Sequence, residues 1–427
     1  MSDADADDDR DGPDDQHLPE EPDAGQSGAG ALGPLAGLPM FGDIARMLAH
    51  QGPLNWDAAR QVALLAATGG RPEVNVDPLV RMTLTDLARL AELHVSEVTG
   101  LDPIGGGRQL EVVTMTPGVW AQRTLDAYRP LFTELATSLG NRPDAAPSDP
   151  MGAMFAGISQ MLQPSMMGLA VGSMVGQLAV RAFGEHDLPL PRPDLPEIGV
   201  VPATVDAFAT EWELPLDDVR LWVLVHETAA RALYRVPHVR DTVLARVRAH
   251  VSAFRPDPGA IVDKLSSLEL DLGDLSGDSD PMSQVSASMA GLERLLGDPE
   301  LLLGAVRTPE QDSLAPYLDA LLALVVGWID HATDEAGARL LGNPARIAEA
   351  VRRRRVETSP DDVFVERLLG LRLDRRQVER GRAFVDGVVE RAGNAGLARL
   401  FLSERELPTP SELDAPGLWL ARIDIGD

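Results

Sequence analysis

The centre of the chain contains the sequence LWVLVHETAARALY, residues 221–234. Its apolar residues recur every three or four positions, which is typical of an amphipathic helix. In the H-E-x-x-H pattern, two histidines four residues apart face the same way and bind one zinc ion, while the glutamate acts as general base on the zinc-bound water. His226 and Glu227 match the first half of that pattern. The position of the second histidine is Ala230, whose methyl group cannot coordinate a metal.

A second apolar segment carries acids in its middle: residues 325–335 read VVGWIDHATDE. Asp330 and Asp334 are four residues apart, so on a helix they share a face, with His331 on a neighbouring face. Zinc sites with a carboxylate ligand can take it from a second helix, and an acid one turn further on can orient a histidine ligand. This pattern therefore offers Asp330 or His331 as a third ligand and Asp334 as an orienting acid. The alternative is a pair of surface acids near a kink at Gly327.

The rest of the chain is also mostly helical in pattern. Caps, prolines and helical periodicity predict helices at residues 56–68, 116–140, 215–235, 237–254, 308–341, 343–355, 361–371 and 375–393. The one convincing strand candidate is residues 110–115, LEVVTM. The sequence therefore predicts a mainly α fold with at most a small β element.

Composition shifts suggest an order of segments along the chain. Residues 1–30 contain eleven acids and one arginine, which predicts a disordered acidic tail. Residues 31–186 form an N-terminal helical region, and residues 187–202 are a Pro-rich, extended connection in which helices are disfavoured. Residues 203–427 form the helical core that carries both motifs. No signal peptide pattern opens the chain, so we expect a cytoplasmic protein.

The charge and cysteine counts exclude several classes of site. The 38 basic and 66 acidic residues give a net charge of −28, which argues against a nucleic-acid-binding protein. The chain has no Cys, so a thiolate metal site, a disulfide or a cysteine nucleophile is excluded, and any metal must be held by His and carboxylates. The four arginines at residues 352–355 are interpreted as a solvated helix end rather than as a phosphate site.

One apolar stretch, residues 166–183, is borderline in length for a membrane span. It places Gly168, Gly172 and Gly176 four residues apart, so one face of the helix carries no side chains and exposes its backbone. Such a face pairs helices in membranes, but the stretch also contains Ser173, Gln177 and Arg181. We therefore expect a soluble helix packed closely against another helix and no membrane span.

The ordered series of motifs resembles one family. Its blocks are GSMVGQLAVRAFGEHDLPLPRP, LWVLVHETAARALYRVPHVRD, VVGWIDHATD, AVRRRRVETSPDDVFVERLLGLRLDRRQVERGRAFVDGVVERAG and ELPTPSELDAPGLWLARID, spread over residues 40–425. They are similar to the zincin-like, zinc-dependent metalloproteases found mainly in actinobacteria. The resemblance implies a helical zincin-like fold with an HExxH-type helix and a second ligand-bearing helix. It also implies a metal-bound water that attacks a peptide or similar bond.

The family's functional residues carry over only in part. The resemblance assigns His226 as a zinc ligand and Glu227 as the catalytic base. It offers Asp330 or His331 as the third ligand, with Asp334 as an acid that orients a ligand. The second histidine is replaced by Ala230, which weakens zinc binding. A glutamate that some relatives would use as a ligand falls at Val326.

Two hypotheses of function follow. The first is a metalloprotease-like hydrolase with a degenerate H-E-x-x-A site, in which zinc is the cofactor and a peptide or protein is the substrate. The second is a catalytically inactive pseudoenzyme that serves as a binding or scaffold module. Because fold and ancestry do not guarantee activity, both are compatible with the resemblance.

Overall fold

A computed structural model describes residues 52–105, 110–140, 150–256, 305–306, 308–356 and 368–425. The helices in these ranges are α1 Trp56–Thr68, α2 Pro78–Thr99, α3 Pro117–Ala127, α4 Arg129–Gly140, α5 Pro150–Ala179, α6 Pro202–Glu211, α7 Leu216–Tyr234, α8 Pro237–Ser252, α9 Pro309–Gly337, α10 Pro344–Val356, α11 Arg375–Ala398, α12 Pro410–Leu413 and α13 Pro416–Ile425. Two short 3₁₀ turns, Arg399–Phe401 and Glu404–Glu406, lie between α11 and α12.

The strands are short, and the strand Glu197–Val200 is largely buried against the helices. Strand β1, Glu111–Thr114, pairs in parallel with β2, Glu197–Val200. Strand β3, Arg255–Pro256, pairs antiparallel with β4, Ala305–Val306. The predicted mainly α fold with a small β element is therefore confirmed.

Several predicted boundaries differ from the observed ones. The single helix expected over residues 116–140 is two helices, because α3 ends at Ala127 with Tyr128 as its C-cap, and Pro130 lies in the first turn of α4. The Pro-rich residues 187–202 contain β2, so they supply part of the sheet; the domain division itself stays a prediction. The predicted tail at residues 1–30 and most of the helix at 361–371 lie outside the described residues.

Helix α7, which carries His226 and Glu227, lies in the middle of the fold. It packs against α2, α6 and α9, and every residue from Val219 to Tyr234 is buried. Helix α9 in turn packs along α11, where Gly327 lies directly against the backbone of Gly381. A Cβ at Gly327 would overlap that backbone, so Gly327 marks a close helix contact within α9, which is helical from Pro309 to Gly337.

The glycine face of α5 is also a helix contact. Gly168, Gly172 and Gly176 lie against the backbone oxygens of Asn55, Ala59 and Ala63 in α1. The expectation of a helix packed closely against another helix is thus confirmed. By length and composition, the helix of the described residues that could cross a membrane is α9, and 72% of its apolar window is buried inside the protein.

Replacing Gly172 with alanine is expected to lower the free energy of unfolding by about 1–3 kcal/mol, because the new methyl group overlaps the Ala59 backbone. Denaturant unfolding measures the loss. The matched control is Gly417→Ala on α13, where a Cβ meets no atom closer than 4.0 Å. Equal stability changes in the two variants would contradict the close α1–α5 contact.

Candidate functional site

The carboxylate of Glu227 is enclosed by the segment that follows α5. The backbone N–H of His186 donates to both of its oxygens, at 3.0 and 3.2 Å, and His186 Nδ1 lies 2.8 Å from Oε2. Both side chains are almost completely buried. The His186 ring also stacks on Tyr234, two helical turns along α7, with ring centroids 5.8 Å apart. His186 therefore lies over the stretch of α7 that begins at Glu227 and ends at Tyr234.

The segment at residues 183–187, FGEHD, is fixed around this contact. Gly184 passes so close to Glu227 that any Cβ there would overlap the carboxylate, which requires glycine. Its carbonyl accepts a hydrogen bond from Trp120 Nε1 at 2.6 Å. The next residue, Glu185, accepts from Arg123 at 2.8 Å. This segment, residues 183–187, forms a clasp on Glu227 that is held by the core and by a half-buried ion pair.

His226 faces a cavity of about 140 Å³ beside α7. Its ring stacks on Trp222 with centroids 5.3 Å apart, and 11% of its side chain is exposed. Helices α9 and α10 form the opposite side of this cavity. The lining includes His186, Asp187, His226, Val326, Asp330 and Arg354.

The acid that α9 contributes to the cavity is already paired. Arg355 Nη1 lies 3.0 and 3.2 Å from the two oxygens of Asp330. The adjacent Arg354 lies with its guanidinium carbon 3.7 Å from the ring centroid of Phe183. The arginines at residues 352–355 were interpreted as a solvated helix end, and for Arg354 and Arg355 that interpretation is wrong, since both line the cavity.

The remaining candidates lie elsewhere. His331 Nε2 lies 3.3 Å from Asn394 Oδ1, and Asp334 pairs with Arg352 at 3.6 Å. His238, on α8, lies with Nε2 2.9 Å from the carbonyl oxygen of Leu400. Thus His226 and Asp330 share one cavity, whereas His331 and Asp334 are absent from its lining.

The described side chains do not fit a catalytic zinc ion. Such an ion takes three protein ligands and a water. Within the ranges that the structure describes, no three His, Asp or Glu residues converge as a metal site would require. Ala230 is fully buried, and Val326 presents an apolar side chain to the cavity.

Charge and burial act on the acids of the site in opposite directions. Burial alone would raise the pKa of Glu227, but the His186 charge and hydrogen bond, with a smaller contribution from His226, lower it to about 2. The pKa of Asp187, which accepts a hydrogen bond from the backbone N–H of Phe183, is raised because the carboxyl is buried. Glu227 is therefore ionised in the folded protein throughout the neutral and mildly acidic range.

The lowered pKa of Glu227 predicts an acid-dependent part of the stability. A depressed folded-state pKa contributes stability that is complete above the unfolded value of 4.5 and is lost as the pH falls towards about 2. The contribution at pH 7 is about 3 kcal/mol. Urea unfolding at several pH values should show the stability difference between the native chain and Glu227→Gln shrinking below pH 5. A difference that stays constant down to pH 3 would contradict the clasp.

His186 and Asp187 were not among the predicted site residues, and Arg354 and Arg355 were predicted to be solvated, yet all four line the cavity. Two features of the sequence could have pointed to these residues. One is the glycine at the start of GEHD, after α5, and the other is the run of four arginines at residues 352–355 in an acidic protein. Neither signal specifies a partner. His186 is 41 residues from Glu227 and Arg355 is 25 residues from Asp330, so only the tertiary fold brings them together.

Comparison with known proteins agrees with this architecture. A solved structure described as a candidate hydrolase with a novel fold, from Chloroflexus aurantiacus, is 21% identical and aligns with a TM-score of 0.56 over 87% of this chain and 99% of that one. At this identity the similarity concerns the fold alone. No curated protein matches the chain.

The family comparison covers most of the sequence. The model of the zincin-like metallopeptidases matches residues 54–420, which include α7, α9 and every residue that lines the cavity. Together with the helical fold and the His226–Glu227 pair on α7, this match identifies the chain as a member of the zincin-like metallopeptidase family.

Proposed function

We propose that this chain is a non-catalytic member of its family, whose cavity binds a ligand without zinc. The observation that carries the proposal is the set of side chains at the expected ligand positions. Ala230 and Val326 have no donor atoms, and Asp330 is paired with Arg355. A lone His226 is a weak zinc ligand, because catalytic zinc sites use three protein ligands.

The position of Glu227 supports the same proposal. A general base must present its carboxylate to the water that it deprotonates. Here both carboxylate oxygens accept hydrogen bonds from His186, and the exposed fraction of the side chain is 1%. A carboxylate held in this way stabilises the folded chain around it and has little capacity left to take a proton.

The alternative function is zinc-dependent hydrolysis of a peptide or protein, with Glu227 as base and His226 and Asp330 or His331 as ligands. The observation in its favour is that His226 and Asp330 line the same cavity. It requires Asp330 to exchange Arg355 for zinc and, if His331 takes part, that side chain to leave Asn394.

Zinc titration of Ala230→His distinguishes the two functions. A histidine at position 230 lies four residues after His226 on the same helix, so the variant regains the missing half of the motif. We expect it to bind zinc at least about tenfold more tightly than the native chain, since each further ligand adds affinity.

The matched control is Ala229→His, because Ala229 is equally buried on α7 but lies about 100° around the helix. It should leave zinc affinity unchanged. Circular dichroism checks that both variants fold. If the native chain itself binds zinc tightly and hydrolyses peptides, the proposal is wrong, whatever the variants do.

A further inference from the structure

The cavity contains a guanidinium group that pairs with no carboxylate among the described residues. Arg354 lies over Phe183, and it donates a hydrogen bond to the backbone carbonyl of Arg181. In the described part of the chain, no Asp or Glu carboxylate oxygen lies within 4.0 Å of a guanidinium nitrogen of Arg354, the limit for an ion pair. Burial lowers the pKa of Arg354, which means that its charged form is held at a cost. An anion bound beside it would offset that cost.

The other charges around the cavity are mostly neutralised. Asp330 is paired with Arg355, and Glu227 is held by His186. Asp187 attracts Arg354 from a distance, and its oxygen accepts a hydrogen bond from the Phe183 N–H. The lining contains three arginines, Arg181, Arg354 and Arg355, against two carboxylates, Asp187 and Asp330, so its formal charge is positive in a protein whose net charge is −28. Electrostatics in this cavity favours an anionic ligand.

Most of the remaining lining is apolar. Leu178, Trp222, Val326, Ile329 and Leu371 supply hydrocarbon and aromatic surface around the arginine. The volume of about 140 Å³ is close to that of apolar protein cavities that bind benzene. A cavity of this size therefore fits a ligand with one anionic group and a small apolar body.

We propose that this cavity binds a small apolar carboxylate of about ten non-hydrogen atoms, with its carboxylate on Arg354 and its apolar part against Trp222 and Val326. The inference rests on the proposed function, because it assigns a ligand to the same cavity without zinc. Arginine suits this role, since its planar guanidinium matches the geometry of a carboxylate. The apolar part gains from burial against the aromatic and aliphatic wall.

Calorimetric titration of the native full chain with three ligands of one shape tests the proposal. The ligands are phenylacetate, the neutral phenylacetamide and the cationic phenethylamine, all in the presence of a metal chelator. We expect phenylacetate to bind about tenfold to a hundredfold more tightly than the amide, as a charge-assisted contact predicts, and the amine to bind most weakly. Equal binding of all three ligands, or no binding of phenylacetate, would overturn the proposal.

Two variants assign the effect to one side chain. Arg354→Met should bring phenylacetate down to the affinity of the amide. Arg353→Met, which removes the neighbouring exposed arginine that pairs with Glu349 at 2.8 Å, should change nothing. If Arg354→Met does not fold, the comparison of ligands on the native chain decides alone. A further titration uses N-acetylphenylalanine. Tighter binding than phenylacetate identifies a peptide C-terminus as the source of the carboxylate, and weaker binding identifies a free small acid.

Repeating the titration with zinc separates this proposal from the proposed function. If zinc binds tightly and phenylacetate still binds in chelator, the non-catalytic function fails and the carboxylate site stands. If phenylacetate binds only when zinc is present, the metal rather than Arg354 holds the carboxylate, and both proposals fail.

Discussion

Replacing Glu227 with glutamine is expected to lower the free energy of unfolding by about 3 kcal/mol at pH 7, although the two side chains have nearly the same shape. The substitution replaces one of the two carboxylate oxygens that accept hydrogen bonds from His186 with an NH2 donor, so that two buried donors face each other. Leaving a buried donor without its charged acceptor typically costs about this much. Urea denaturation followed by circular dichroism measures the change.

The control for this prediction is Glu379→Gln, the same substitution in an ion pair at the surface. Glu379 pairs with Arg375 at 2.7 Å, but both side chains are largely exposed, and exposed pairs contribute little to stability. Catalytic bases are often held at the expense of stability, so their removal is neutral or stabilising. A Glu227→Gln variant as stable as the native chain would therefore indicate that Glu227 is a catalytic base, and it would contradict a stabilising role for its contacts with His186.

Replacing Asp330 with asparagine is expected to lower the free energy of unfolding by about 2 kcal/mol, because Arg355 then loses its carboxylate partner inside the fold. The side chains of this pair are 13% and 20% exposed, so partial screening by solvent reduces the effect relative to Glu227. Thermal or denaturant unfolding checks the change.

Running this experiment with chelator and with zinc distinguishes an ion-pair role from a ligand role. The ion pair predicts the same loss in both conditions. A zinc ligand predicts that the loss appears only with zinc, because only then does the native chain gain stability from the bound metal. Asp386→Asn, which removes the partner of Arg382 on the exposed face of α11 at 3.5 Å, serves as the control and should leave stability nearly unchanged.

The local elements of this fold could be predicted from the sequence because each is specified by nearby residues. Asn55 caps α1, which ends at Gly69 in a left-handed conformation. Thr308 and Gln311 form a capping box at the start of α9. The periodicity of residues 221–234 and the glycine spacing in α5 likewise carried enough information to predict a buried helix and a close helix contact.

The centre of the site could not be predicted in the same way. The adjacent His226 and Glu227 predicted a metal site, but the roles of both residues depend on contacts with residues from other segments. His186 comes from the turn after α5, and Arg355 comes from α10. Sequence spacing contains no signal for either contact, because packing between helices distant in sequence sets both.

The most direct test of the account is the zinc content of the untagged full-length protein, measured by elemental analysis after purification in zinc-containing buffer and dialysis. The account predicts far less than one zinc per chain, because Ala230 and Val326 supply no ligand atoms and Arg355 holds Asp330. One zinc per chain, retained through dialysis and lost on replacing His226, would contradict it.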